Sequence, residues 1–373
     1  MAPAPALLPA RPHALLGAAL ALAIAPALPA TAAGFNTLTG AAPLVIAHRG
    51  ASGYLTEHTL AAYELAIQMG ADLIEPDLQL TRDGHLIAFH DASLFNDNPN
   101  GPALTDVADR FEPRKGGFLV EDFDLDEIRQ LQTIPRLTAT TERPGFTPSM
   151  PNAFGIPTFG EVLEFLTDYN AANGTNVGIY PESKTPNRPE LSRKMVEELK
   201  RFGFTSADQP VYLQTFSFQG LLDLQGIQAD LNTDMRQVAL GGAVQQDGVF
   251  GILEFGANAF YGFDEVAEFA DGLGVFIGNF AAQALSAEWI VAAHAADLEV
   301  HGWTFRPTTQ EASDLLTAQF IDWGMDGFFT DFSDLTRETI SRAEAQFGVI
   351  PLPAAGWLLL SALGGLALLR RRG

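Results

Sequence analysis

Histidines and charged side chains stand at the ends of short apolar runs, an arrangement suited to acid–base chemistry and to ion binding. Residues 44–47 lead directly into His48 and Arg49, and a later run ends in His90 and Asp91. Histidine exchanges protons near neutral pH, so two of them across a pocket can act as general acid and base. Arginine presents a planar fork of donors that matches a phosphate group. The alternative for each histidine is a packed core residue without a chemical role.

Carboxylates recur in the same positions relative to the apolar runs. Glu75 and Asp77 are two residues apart, so on a strand both side chains face the same side. Glu182 comes from a later strand and is followed by Lys184. Three carboxylates without a histidine form an oxygen site suited to Mg²⁺ or Ca²⁺ rather than Zn²⁺. The alternatives are a solvated strand edge for the carboxylates and a plain salt bridge for Lys184.

The segments that must position these groups are short β-like runs alternating with helical ones. The run PLVIAHRG precedes the helical EHTLAAYELAIQMG, and the chain continues in this way to the helical LTRETISRAEAQFG. Strands that are apolar on both faces predict an α/β fold with a parallel sheet inside helical layers. Periodicity leaves a closed barrel and an open sheet as alternatives. In both, ligands bind at the C-terminal ends of the strands.

Two segments interrupt the alternation. Residues 96–155 are rich in Pro, Gly, Asp and Arg and are too long for a simple connection, so they predict an inserted lobe. Residues 239–261 are rich in glycine and predict a long loop.

Composition excludes several classes of function. The 373 residues include 45 acidic and 22 basic side chains, a formal net charge of −23, which disfavours binding to nucleic acid. The chain has no cysteine, so disulfides, thiolate nucleophiles and cysteine-ligated metals are excluded. With 47% hydrophobic residues it can form a large core, in one domain or two.

Residues 1–33 have the pattern of a Sec-type signal peptide. Arg11 and His13 precede an apolar run, residues 14–28, and small residues then predict cleavage near Ala32 or Ala33. The alternative is a membrane anchor, for which the run is short. The sequence therefore predicts an exported protein of the periplasm or cell surface.

Residues 349–373 combine a Pro-containing motif, an apolar run and the arginines 370–372. This layout resembles the sorting tails of Gram-negative bacteria, which hold an exported protein at the inner membrane until a protease removes them. A simple tail anchor is the alternative. Both predict a tail in the membrane, at least transiently, with its arginines on the cytoplasmic side.

Several segments in order resemble the glycerophosphodiester phosphodiesterase family, especially its periplasmic bacterial branch. They include HRGASGYLTEHTLAAYELA, ADLIEPDLQLTRDGHLIAFHD, YPESK, VHGWTFR and DGFFTDF. The resemblance covers residues 43–347. It implies a TIM (β/α)8 barrel over residues 40–348, with a small lobe inserted after the third strand at about residues 92–156. It also implies metal-dependent hydrolysis of glycerophosphodiesters to sn-glycerol 3-phosphate and an alcohol.

The resemblance assigns roles to individual residues. His48 and His90 match the family's catalytic pair. Glu75, Asp77 and Glu182 match the ligands of one divalent cation, Ca²⁺ or Mg²⁺.

Further residues are assigned to the substrate. Arg49 and Lys184 match phosphate contacts, whereas Trp303 and Gln214 are expected to face the pocket. Glu57 matches an acidic residue expected to support the site from behind the reacting groups.

The resemblance predicts a small-molecule glycerophosphodiester as the partner. Two rival functions stay open. One is a related barrel phosphodiesterase that cleaves lysophospholipids or phosphoinositides, and the other is a non-catalytic exported binding protein. Neither the headgroup nor the oligomeric state follows from the sequence.

Overall fold

The computed structural model describes residues 34–98, 101–136, 139–184 and 188–348. The predicted signal peptide and the predicted membrane tail lie outside the described residues. Within the four ranges no helix combines the length and the apolar character needed to cross a bilayer.

Strands and helices alternate along the described chain. The strands are β1 (Leu44–His48), β2 (Leu73–Glu75), β3 (Asp77–Leu80), β4 (Leu86–Ala88), β5 (Gly178–Ile179), β6 (Glu182–Ser183), β7 (Tyr212–Thr215), β8 (Arg236–Gln246), β9 (Val249–Glu254), β10 (Ala259–Gly262), β11 (Gly272–Phe276), β12 (Glu299–Phe305) and β13 (Gly327–Thr330). The helices are α1 (Leu60–Gln68), α2 (Val107–Arg110), α3 (Leu125–Ile128), α4 (Phe159–Asn173), α5 (Pro189–Arg201), α6 (Phe218–Leu231), α7 (Phe263–Val266), α8 (Ala287–Ala295), α9 (Gln310–Trp323) and α10 (Ser333–Gly348), with a 3₁₀ turn at Val120–Asp122.

Parallel pairing closes these strands into a barrel. β2 and β3 are two parts of one strand interrupted at Pro76, and β5 and β6 are likewise parts of one strand. β1 pairs with β2, which pairs with β5, while β3 pairs with β6. Pairing then continues through β7, β8, β11, β12 and β13 and returns to β1. The described residues thus form the eight parallel strands of a TIM barrel, as the resemblance implies.

β1 shows why the strands are apolar on both faces. Val45 and Ala47 belong to the large core between the strands and the surrounding helices. Ile46 points the other way and joins Leu73 and Phe329 in a smaller cluster inside the barrel. All five side chains are at most 2% exposed, so each strand contributes to two cores at once.

The connection from β1 to α1 is held tightly over the mouth of the barrel. Thr59 caps α1 by accepting a hydrogen bond from the backbone N of Ala62. Gly50 has a φ of +85°, and a Cβ there would lie 2.7 Å from the carbonyl carbon of Ala62. Arg49 has a φ of 60°, a left-handed conformation that is unfavourable for a residue with a Cβ. The packed turn therefore imposes the backbone conformation of Arg49.

The prediction of a long loop over residues 239–261 is wrong, because this segment forms an antiparallel extension of the barrel. The second half of β8 pairs with β9, and β9 pairs with β10. The turn between β8 and β9 contains Asp247 and Gly248, both with positive φ. Asp-Gly is a strong hairpin signal. Glycines here also permit close approach, since a Cβ on Gly251 would lie 2.2 Å from the carbonyl oxygen of Tyr261.

The segment after β4 is folded around an apolar cluster of its own. The cluster includes Leu104, Val107, Phe123 and Ile128, and it also takes in Ile87 of β4. β4 is antiparallel to β3, so it is the return arm of a hairpin rather than a barrel strand. The inserted segment therefore packs beside the barrel through this hairpin.

Phe328→Ala is predicted to lower the free energy of unfolding by about 3–5 kcal/mol, the usual cost of removing a buried phenylalanine. Phe328 is fully buried, with its ring 4.9 Å from that of Phe305. Chemical denaturation measures the effect. The control is Leu315→Ala, whose side chain is 82% exposed. Equal stability of the two variants would contradict this packing.

Candidate active site

Three carboxylates converge at the C-terminal mouth of the barrel. Glu75, Asp77 and Glu182 each offer an oxygen, and these oxygens lie within 4.8 Å of one another. Asp77 and Glu182 are paired in register on neighbouring strands, and Glu75 is paired with His48. The three residues are 1–6% exposed. Buried negative charge at this density requires compensation by cations.

The electrostatics of the three carboxylates differ. Burial first, and then the negative charge of Asp77, raise the pKa of Glu75 well above its usual value. Burial raises the pKa of Glu182 to about 8, since Lys184 offsets only part of the effect. Burial would also raise the pKa of Asp77, but nearby cationic groups, Lys184 foremost, hold it well below its usual range.

The donor set fits a hard divalent cation. Carboxylate oxygens are the ligands that Ca²⁺ and Mg²⁺ prefer. Gln214 donates from Nε2 to Glu75 Oε1 (3.2 Å), and its own buried Oε1 has no hydrogen-bond partner in the described structure. On the other side, His58 Nε2 lies 2.9 Å from Asp77 Oδ2, and His58 Nδ1 lies 2.9 Å from the Tyr63 hydroxyl. Neighbouring polar side chains therefore hold the carboxylates in place.

His48 is held by a carboxylate and an arginine. Its Nδ1 lies 2.6 Å from Asp331 Oδ1, and Arg306 Nε donates to Asp331 Oδ2 at 2.8 Å. Burial first, and then the charge of Arg49, lower the pKa of His48 to about 4, although Asp331 opposes the shift. The imidazole is therefore neutral at pH 7 and can accept a proton.

His90 has an arrangement of the same kind. Its Nδ1 lies 2.6 Å from Asp91 Oδ1, which also accepts a hydrogen bond from Arg136 Nη2 at 2.6 Å. Burial and then Arg49 lower the pKa of His90. The expectation that His90 ends a parallel strand is wrong. It follows the antiparallel β4, and the β3–β4 hairpin returns the chain to the level of Asp77.

Arg49 and Lys184 surround the carboxylate cluster. Arg49 Nε lies 3.3 Å from Asp77 Oδ2, and its backbone N donates to Glu75 Oε2 at 2.8 Å. Lys184 Nζ lies 3.2 Å from Glu182 Oε1. The contact between Lys184 and Glu182 considered from the sequence is therefore present, and Lys184 also lines the cavity described below.

Glu57 pairs with Arg49 and is not among the residues that line the cavity described below. Its Oε2 lies 3.3 Å from Arg49 Nη1, and Arg136 Nε lies 3.3 Å from its Oε1. Burial would raise the pKa of Glu57, but Arg49 and then Arg136 lower it.

A cavity of about 130 Å³ joins these groups. Its lining includes both histidines, the carboxylates, Arg49 and Lys184, together with several aromatic rings. Trp303 and Gln214 both line it, as expected from the resemblance. The centroid of the Trp303 ring lies 5.0 Å from that of Phe276 and 5.5 Å from that of Phe216. Trp303 Nε1 donates a hydrogen bond to the carbonyl oxygen of Gly274. The cavity can therefore accept a molecule with an anionic part and a less polar part.

Sequence reasoning did not select several residues that complete the site. Asp331 directly follows β13, so the same rule that selected His48 could have found it. Arg306 follows β12 and binds Asp331. Arg136 lies in the inserted segment, where no periodic pattern or motif marks it. Phe216 and Phe276 have the composition of ordinary core residues.

Comparisons with known proteins agree with this geometry. Residues 48–335 match the glycerophosphoryl diester phosphodiesterase family. The glycerophosphodiester phosphodiesterase of Bacillus subtilis is 30% identical over 308 residues, which cover 80% of this chain and 87% of the relative. That of Haemophilus influenzae is 37% identical over 199 residues, and here the match spans only 50% of this chain and 53% of the relative.

A solved structure shows the same fold. The Oleispira antarctica phosphodiesterase covers 82% of this chain and 99% of its own, with a TM-score of 0.56 and 21% identity. The family match over most of the chain and the Bacillus subtilis relative identify the protein as an enzyme that belongs to the glycerophosphoryl diester phosphodiesterase family.

Proposed function

We propose that this enzyme hydrolyses glycerophosphodiesters to sn-glycerol 3-phosphate and an alcohol, with one divalent cation, Ca²⁺ or Mg²⁺, held by Glu75, Asp77 and Glu182. The observation that carries the proposal is the convergence of this triad and two aspartate-bound imidazoles on one cavity. The activity agrees with the names of the relatives. The Oleispira antarctica structure contains sn-glycerol-3-phosphate, the product expected here.

Phosphodiester cleavage places negative charge on the oxygens around phosphorus. Arg49 and Lys184 line the cavity and stabilise that charge as it develops. A bound cation supplies further charge stabilisation and orients the phosphate. Glu57 and Asp77 hold the guanidinium of Arg49 at the cavity wall, through Nη1 and Nε respectively.

The two histidines divide the proton transfers. His48 is neutral at pH 7, so we assign to it removal of the proton from the attacking oxygen. The His90 side chain is 28% exposed and that of His48 is 12% exposed. We therefore assign to His90 donation of a proton to the departing alcohol, for which its neutral ring first takes up a proton from solvent.

His48→Gln and His90→Gln are each predicted to lower kcat by about 10²–10⁴, the range typical of lost acid–base catalysis. The assay is release of sn-glycerol 3-phosphate from glycerophosphocholine, with the melting temperature measured in parallel. His85→Gln is the control, because this side chain is 53% exposed and lies on the β3–β4 turn. Near-normal turnover in either site variant would refute the acid–base assignment.

Removal of divalent cations is predicted to abolish turnover, and Glu182→Gln to weaken cation binding about 10-fold or more. Calorimetric titration with Ca²⁺ or Mg²⁺ measures binding without requiring activity. The control is Glu190→Gln, whose side chain is 58% exposed. Full activity in a chelator would rule out the proposed cation.

Cation binding is also predicted to release protons and to tighten as pH rises toward 8. The pKa of Glu182 is about 8, so at pH 7 its carboxyl is mostly protonated and must lose this proton to bind a cation. Titrations in buffers with different ionisation enthalpies measure the proton count. Affinity that is constant from pH 6 to pH 8 would contradict the prediction.

We also propose that the protein is exported, on the basis of residues 1–33, and tethered by residues 349–373. Fusion of residues 1–33 to a reporter that is active only outside the cytoplasm is predicted to give activity. Replacement of the arginines 370–372 by glutamate is predicted to reduce membrane retention of the full chain. A reporter that stays inactive, or retention that is unaffected, would contradict the corresponding proposal.

A further inference from the structure

We propose that Arg136, from the inserted segment, is a positioning residue that holds His90 and Arg49 in their working orientations. The inference rests on the proposed function, and it makes the insertion a part of the active site. Arg136 is neither a member of the carboxylate triad nor one of the residues that line the described cavity.

The contacts of Arg136 join two functional groups. Its Nη2 donates to Asp91 Oδ1 at 2.6 Å, and Asp91 holds Nδ1 of His90 at 2.6 Å. Its Nε lies 3.3 Å from Glu57 Oε1, and Glu57 faces Nη1 of Arg49. One guanidinium therefore bridges the two carboxylates that orient an acid–base histidine and a phosphate-binding arginine.

The bridge is sheltered from solvent. The side chains of Asp91 and Glu57 are 6% and 17% exposed, and that of Arg136 is 26% exposed. Ion pairs on open surface contribute little, whereas removing one partner of a buried pair leaves an uncompensated charge. Asp91 Oδ2 accepts a hydrogen bond from the backbone N of Asp97, so this N–H and Arg136 each hold one oxygen of the carboxylate.

A comparison with the other histidine shows what the insertion adds. Asp331 holds His48 in the same way, and its arginine partner is Arg306, which follows barrel strand β12. Both imidazoles thus use a histidine–aspartate–arginine arrangement. For His48 the whole arrangement comes from the barrel, whereas for His90 the arginine comes from the insertion. Without Arg136 the imidazole of His90 and its carboxylate lose their fixed orientation.

The kinetic test compares Arg136→Ala and Arg136→Lys with Arg129→Ala. Arg129 is the matched control, because it lies in the same segment and its exposed side chain pairs with Glu161. With glycerophosphocholine, Arg136→Ala is expected to lower kcat about 10- to 100-fold, as is typical when the partner of a functional group is removed. KM is expected to change by a smaller factor than kcat, because the orientation of His90 affects the transition state whereas Arg49 keeps its contact with Asp77. Arg136→Lys keeps the positive charge but lacks the planar guanidinium, so its kcat is expected to lie between those of Arg136→Ala and the wild type.

A double-mutant cycle separates positioning from loss of folding. If Arg136 acts through Asp91, then adding Arg136→Ala to Asp91→Asn costs much less than Arg136→Ala costs in the wild type. Full multiplication of the two losses would overturn the inference. So would a folded Arg136→Ala variant whose kcat stays within about twofold of wild type. If Arg136→Ala does not fold, Arg136→Lys is compared with wild type in the same cycle.

A second readout does not depend on turnover. In protein labelled with ¹⁵N-histidine, the Nδ1–H resonance of His90 is assigned by its loss in His90→Gln. Arg136→Ala is expected to shift or broaden this resonance, while Arg129→Ala leaves it unchanged. An unchanged resonance in Arg136→Ala would overturn the inference even if the wild type proved inactive, a result that would refute the proposed function alone.

Discussion

The concentration of buried negative charge at the mouth of the barrel determines the rest of the site. Three carboxylates lie with oxygens within 4.8 Å of one another, and at this distance two full charges repel by roughly 3 kcal/mol at an effective dielectric constant of about 20. In a chain with a net charge of −23, basic side chains that could neutralise such a cluster are few. The chain nevertheless directs Arg49 and Lys184 to it. Burial, together with the remaining imbalance of charge, raises the pKa values of Glu75 and Glu182 and favours a divalent cation.

The same charge distribution explains the state of the histidines. Arg49 lies near both imidazoles, and together with burial it keeps their pKa values low. The aspartates Asp331 and Asp91 oppose this shift and fix each ring through Nδ1. Two neutral, oriented imidazoles in one cavity are therefore a consequence of burial and of the positive charge of Arg49, which also contacts the carboxylates.

The packing of the barrel holds the strand ends that carry the site residues. Each strand is packed on both faces, as Val45 and Ile46 show in β1, so the strand ends move little relative to one another. The strained conformation of Arg49 is maintained by the close packing of Gly50 against Ala62. The inserted segment joins this framework through the β3–β4 hairpin, which also brings His90 to the cavity.

The sequence by itself determined the alternation of strands and helices and the residue types at the strand ends. These residue types singled out His48, Glu75, Asp77 and Glu182 as candidates, and the resemblance to a known family then assigned their roles. The tertiary structure decided the closure of the barrel, since strand pairing depends on residues far apart in the chain. It also decided the partners Asp331 and Arg136. Residue 331 meets residue 48 only after the last strand has returned to the first, and the contact of Arg136 arises from an insertion whose sequence has no period. The hairpin over residues 239–261 is an intermediate case. Its Asp-Gly turn is visible in the sequence. That its glycines allow the strands to lie close together is seen only in the folded sheet.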